Sequence, residues 1–112
     1  MIKIEIQRQK NKIIYFEIKG HANFSEYGED VICAAVSSVG QMTVNGLIET
    51  LKLKKKMKFI EEDGYIECDL KNSGLTDDEL KNADILVESM YSYLKDVAKS
   101  YKNFVKLREI KK

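Results

Sequence analysis

Val31 to Ile48 is a run of 18 residues without an acidic or basic side chain, and it limits what this chain can fold into more than any other feature. Its length approaches that of a membrane span. Yet it contains Ser37, Ser38, Gly40, Gln41, Thr43, Asn45 and Gly46, too much polarity for a helix facing lipid. The pattern predicts instead a helix from Asp30 to about Lys54, covered by protein on most of its surface. Gly40 and Gly46 each weaken that helix by ~1 kcal/mol relative to alanine. A chain of 112 residues makes one domain, spanning 1–112, and so small a domain has difficulty covering a helix all round. Part of the helix is therefore expected to lie against a second copy of the chain, in a homodimer.

The flanking sequence alternates. Ile2, Ile4 and Ile6 are interleaved with Lys3, Glu5 and Gln7, and Ile14, Phe16 and Ile18 with Tyr15, Glu17 and Lys19. Period-two alternation predicts two half-buried strands. They turn around Lys10-Asn11-Lys12 and end at Gly20. "KMKFIEE" and "YIECDLK" flank Asp63-Gly64, a turn pair that supplies positive φ at little steric cost. Thr76 to Glu79 reads as a capping box. Beyond it Leu80, Ala83, Val87, Met90, Leu94, Val97 and Tyr101 recur in steps of three and four, the face of an amphipathic helix. "NFVKLREI" reads as a last strand. The predicted class is α+β, in the order β-β-α-β-β-α-β, with two helices packed on one face of a largely antiparallel sheet.

Bulk properties exclude some functions. A net charge of +1 gives no general reason to expect a nucleic-acid binder. No signal-peptide pattern opens the sequence, and with only two cysteines the expectation is a cytoplasmic protein with both thiols reduced. One histidine and two cysteines 35 residues apart match no zinc spacing. Neither a metal nor a cofactor is expected.

The chemistry-bearing residues cluster in "GHANFSEYGEDVICAAVSSVG", Gly20 to Gly40. If Asp30 is the N-cap, Cys33 is the third helical residue. Free amides and the positive end of the helix dipole would there favour a thiolate and the oxyanion formed when it attacks a carbonyl. His21, twelve residues earlier, sits where a loop can return it to the helix start. A His–Cys pair supplies thiolate activation and a general acid for the leaving amine, and Asp30 is a candidate to orient the imidazole. Spacing alone equally allows a core cysteine, the commoner case for a thiol in an apolar helix. Cys68 shares a strand face with Ile66 and Leu70 and reads as core.

Together, Gly20-His21-Ala22, Gly28, Asp30, Cys33-Ala34-Ala35-Val36-Ser37 and the later "MTVNGL" resemble the ribosomal-processing cysteine proteases of the Prp family, along the whole chain. The resemblance implies a small homodimeric α+β cysteine endopeptidase of bacteria. Such an enzyme removes a short N-terminal extension from a large-subunit ribosomal protein during ribosome assembly. His21 then corresponds to the general base and acid and Cys33 to the nucleophile. Asp30 and Ser37 match supporting positions, and the third catalytic group of papain-like enzymes does not transfer. Phe24, Tyr27 and Gly28 would belong to a loop, 22–29, that moves and closes over the bound peptide.

A rival function rests on "LKLKKKMKF". Lys52, Lys54, Lys55, Lys56 and Lys58 fall within seven residues. Such a run is usually a solvated connection. It would also suit a non-enzymatic, ribosome-associated module binding RNA through these lysines, although that leaves the His–Cys placement without a purpose.

Overall fold

The computed structural model of the chain describes residues 1–20 and 29–112, with side chains from residue 31 in the second stretch. Strands β1 (Ile2–Gln9) and β2 (Lys12–Lys19) form the first hairpin. Its turn is two residues, Lys10 and Asn11, both at positive φ (52° and 65°), as hairpin turns matching strand twist require. Lys12 is thus in the strand rather than the turn. Strands β3 (Lys58–Glu62) and β4 (Tyr65–Asp69) form the second hairpin, turning through Gly64 at φ 74°. Strand β5 (Val105–Lys111) closes the chain. The five strands lie in the order β3-β4-β2-β1-β5. All pairs are antiparallel except β1–β5, which is parallel.

Helix α1 runs from Glu29 to Asn45 and continues as a π-helical turn, Gly46–Thr50. The helical stretch therefore stops short of the expected Lys54. Lys52 adopts φ 57°, which no helix continues through. Helix α2 spans Asp77–Ser100. The Thr76 hydroxyl accepts from the Glu79 amide (3.1 Å) and the Glu79 carboxylate accepts from the Thr76 amide (2.9 Å), completing the predicted capping box. Ala83, Val87, Met90, Leu94 and Val97 are buried as expected, and Tyr91 joins them. Tyr101 is exposed, because the helix has ended there.

Both helices cover one face of the sheet. Ile2, Ile4, Ile6, Phe16, Ile18, Ile66 and Cys68 project toward them and meet Ile32, Val36, Val44, Leu47 and the α2 stripe in one core. By length and composition Val31–Thr50 would pass as a membrane span, but its most apolar stripe is spent against the sheet. Gly40 explains how closely it lies. A Cβ there would stand 3.0 Å from Ile66 Cδ1 and 3.1 Å from Ile18 Cδ1, so glycine lets α1 settle onto β2 and β4. At Gly46 a Cβ would come within 2.5 Å of the Leu86 side chain on α2.

One ionic cluster ties β1, β5 and α2 together. The Arg8 guanidinium donates to Glu88 and, through Nε, to Glu109 at 2.9 Å, and lies 5.5 Å from the centre of the Tyr91 ring. The hydrogen bond from Arg8 holds the Glu109 carboxyl below its ordinary value. A depressed folded-state value contributes stability above the unfolded-chain value, and that stability is lost as pH falls through the depressed one. Acid should therefore loosen this junction below about pH 4. Arg8→Ala is expected to lower stability by about 2 kcal/mol at neutral pH, since it strands two partly buried carboxylates. It should also flatten the acid limb of a Tm–pH curve. An unchanged limb would mean the cluster carries no acid sensitivity.

Candidate active site

Gly20 directly follows β2 and is the last described residue before His21. Its φ is +87°, and a Cβ would stand 2.5 Å from the Met1 carbonyl oxygen. Its amide donates to the Gly64 carbonyl at 3.0 Å. The N-terminus and the β3–β4 turn thus both fix the chain where it leaves the sheet. The residue before the histidine is constrained in a way its identity only hinted at. His21, Phe24, Tyr27 and Gly28, and with them the loop expected to close over a peptide, lie outside the described residues.

On the other side, α1 begins at Glu29, so Asp30 is its second residue and not its N-cap. Cys33 is the fifth residue, not the third. The amides left without helical partners belong to the positions before it, and the dipole's influence fades after the first turn. Electrostatic activation by the helix end is therefore weaker at Cys33 than the spacing predicted. The sulfur is also buried, at 0% exposure, within the core beside Ile32 and Val36. Ser37 follows one turn later on the same side of α1 and is half-buried.

Cys68 contrasts with it as expected. It is fully buried on β4, and burial, then the nearby Asp69 and Glu67 charges, push its thiol up to about 12. Neither cysteine forms a disulfide. Among the described residues no group of three or more His, Cys, Asp or Glu stands where it could hold a metal ion. The lysine run is a solvated connection. Lys52, Lys54, Lys55, Lys56 and Lys58 are all exposed, and Lys56 donates to Glu79 at 2.8 Å.

Comparison with known proteins agrees with this architecture. The family model described as cysteine protease Prp matches residues 1–106. The ribosomal processing cysteine protease Prp of Bacillus subtilis is 34% identical over 104 residues, covering 92% of each chain. The crystal structure of SMU.848 from Streptococcus mutans superposes with a TM-score of 0.84 at 29% identity, over 100% of this chain and 96% of that one. The S. aureus ribosomal processing protease Prp, in complex with a covalently linked product peptide, gives a TM-score of 0.74 at 25% identity, over 97% of this chain and 99% of that one. A match over nearly the whole length, in sequence and in backbone, makes this chain a member of the cysteine protease Prp family.

Proposed function

We propose that this protease removes the N-terminal extension of a large-subunit ribosomal protein, with Cys33 as nucleophile and His21 as general base and acid. The observation that carries the assignment is the setting of the two thiols. Cys33 lies near the start of α1, on the helix that follows the histidine-bearing segment, whereas Cys68 is held protonated in the sheet. Relatives named for ribosomal processing, one of them with a product peptide covalently attached, support the same reaction.

The chemistry follows from the residue types. His21 takes the Cys33 proton, and the thiolate attacks the scissile carbonyl carbon. The resulting oxyanion collapses to a thioester as His21 protonates the departing amine. Water, deprotonated by the same imidazole, attacks the thioester and releases Cys33. Asp30 and Ser37 support the pair, and Phe24, Tyr27 and Gly28 contact the peptide. Because the sulfur has no exposed surface, peptide binding has to give access to it. No cofactor takes part in any step.

A ribosomal-protein substrate would put the reaction in the cytoplasm, where ribosomes assemble. A homodimer is supported by the outer flank of the helical layer, where Val31 (69% exposed), Met42 (63%) and Ile85 (63%) leave apolar surface uncovered. The non-enzymatic alternative built on the Lys52–Lys58 run is set aside, because the family is one of proteases.

The test mixes the purified protein with an extended large-subunit ribosomal protein from the same genome and follows product mass. A single cut near the mature N-terminus is expected, and Cys68→Ala should cut at close to the wild-type rate. No cleavage of the extended protein, or equal cleavage of unrelated chains, would defeat the substrate assignment.

A further inference from the structure

The sheet face turned away from the helices takes no part in this chemistry, and its strand register arranges its side chains in rows. One row crosses β5, β1, β2 and β4 as Lys106, Lys3, Lys19 and Tyr65. The adjacent row reads Arg108, Glu5, Glu17 and Glu67. Three lysines directly abreast on neighbouring strands repel one another, and strand spacing puts all three within about 10 Å. Lys3 and Lys106 are exposed. Among the described residues no carboxylate lies within ion-pair distance of either.

The neighbouring acids are already engaged. Glu5 accepts from Gln7 and from Arg108, each at 2.8 Å. Glu17 accepts from Tyr65 at 2.8 Å and lies 3.8 Å from Lys19. Glu5, Glu17, Lys19 and Arg108 line a shallow depression of about 490 Å³ together with Lys3 and Lys106. With Arg108 on Glu5 and Lys19 near Glu17, the cations in excess are Lys3 and Lys106. At the end of the lysine row the Tyr65 hydroxyl is bound to Glu17 and to Glu67, both at 2.8 Å. Burial and those carboxylates push its phenol well above the ordinary value, so it stays a donor and its ring stays pinned beside Lys19.

We propose that this row is a docking surface for single-stranded RNA, the lysines taking successive phosphates and the Tyr65 ring stacking on a base. Ammonium groups beside a fixed aromatic on an open sheet are the means by which sheet surfaces hold single strands. Glu67, Asp69 and Glu62 repel phosphate on the far side of the same face, which keeps the phosphates over β5, β1 and β2 and leaves Tyr65, at the β4 end of the row, to meet a base. Lys19 is followed by Gly20 and His21, so the row lies at the end of the sheet from which the chain leaves for the candidate site. RNA docked there would hold the protease beside a substrate still attached to ribosomal RNA. The choice of RNA as polyanion rests on the ribosomal reading above.

The experiment measures fluorescence anisotropy of a labelled 12-nucleotide single-stranded RNA across a salt series. Three to four phosphate contacts predict log K falling with log salt at a slope of about −2 to −3. Lys3→Glu with Lys106→Glu should weaken binding about 10-fold or more at low salt and make the slope shallower by about 1.5. Tyr65→Leu should weaken it about 10-fold with the slope unchanged. Charge reversal at Lys52, Lys54 and Lys55 should change neither. The Lys3/Lys106 variant should still cleave a short peptide normally, and Cys33→Ala should still bind RNA, so failure of one activity does not mask the other. Absence of salt-dependent binding, unchanged binding by the Lys3/Lys106 variant, or equal binding to a polyglutamate of matched charge would each overturn the proposal.

Discussion

Cys33→Ala is expected to abolish peptide cleavage, with a loss of about a thousand-fold or more, because removing a nucleophile leaves only binding and oxyanion contacts to act. The variant should still fold. Replacing one buried sulfur by hydrogen in a core position costs about 1 kcal/mol, a small part of the stability of a domain this size. Two controls make the result specific. Cys68→Ala removes the same atom from an equally buried site and should retain turnover, since that thiol is pushed up to about 12 and is protonated at neutral pH. Circular dichroism of Cys33→Ala should match the wild type. Cleavage by Cys33→Ala at the wild-type rate would remove Cys33 from the mechanism, however close the family match.

Gly20→Ala is expected to be the most damaging single methyl addition described. The φ of +87° disfavours any side chain, and the added carbon would meet the Met1 carbonyl oxygen at 2.5 Å. That oxygen is backbone and cannot rotate aside, so β1, β2 or the turn at Gly64 has to shift. The conformational penalty is about 1–2 kcal/mol. With the collision, the loss should reach about 3 kcal/mol, or about 10–15 °C in Tm. Gly74 isolates the conformational penalty, since it has φ +70° but nothing within 4 Å of its Cβ position. Gly74→Ala should lose only about 1 kcal/mol. Because Gly20 directly precedes His21, its variant should also lose turnover at temperatures where it remains folded. Equal Tm shifts for the two variants would show that the close approach to Met1 is not what matters.

The same contrast separates what was legible in the sequence from what was not. Strand alternation identified β1, β2 and β4 and the face each buries, because a period of two residues is decided locally by which side meets the core. The capping box fixed the start of α2, since its partners are three residues apart. Helix α1 was identified but misplaced at both ends. Its uncharged run has no local start signal that outweighs Asp30, and its C-terminal limit depends on the π-helical turn against α2 and the left-handed Lys52.

For the candidate site, the sequence by itself supplied the residue types, their order and the family they resemble: a histidine, a cysteine twelve residues on, and the glycines around them. It could not separate a nucleophile from a core thiol by spacing, and it put Cys33 closer to the helix start than it is. The tertiary structure decided the burial of Cys33, the two walls that fix Gly20, and the fit of Gly40 over Ile18 and Ile66. It also decided the lysine row, whose members lie at positions 3, 19 and 106 and are brought abreast only by strand pairing. Local chemistry is encoded in neighbours along the chain. Burial and charge proximity belong to residues far apart in sequence, and only the packed sheet determines them.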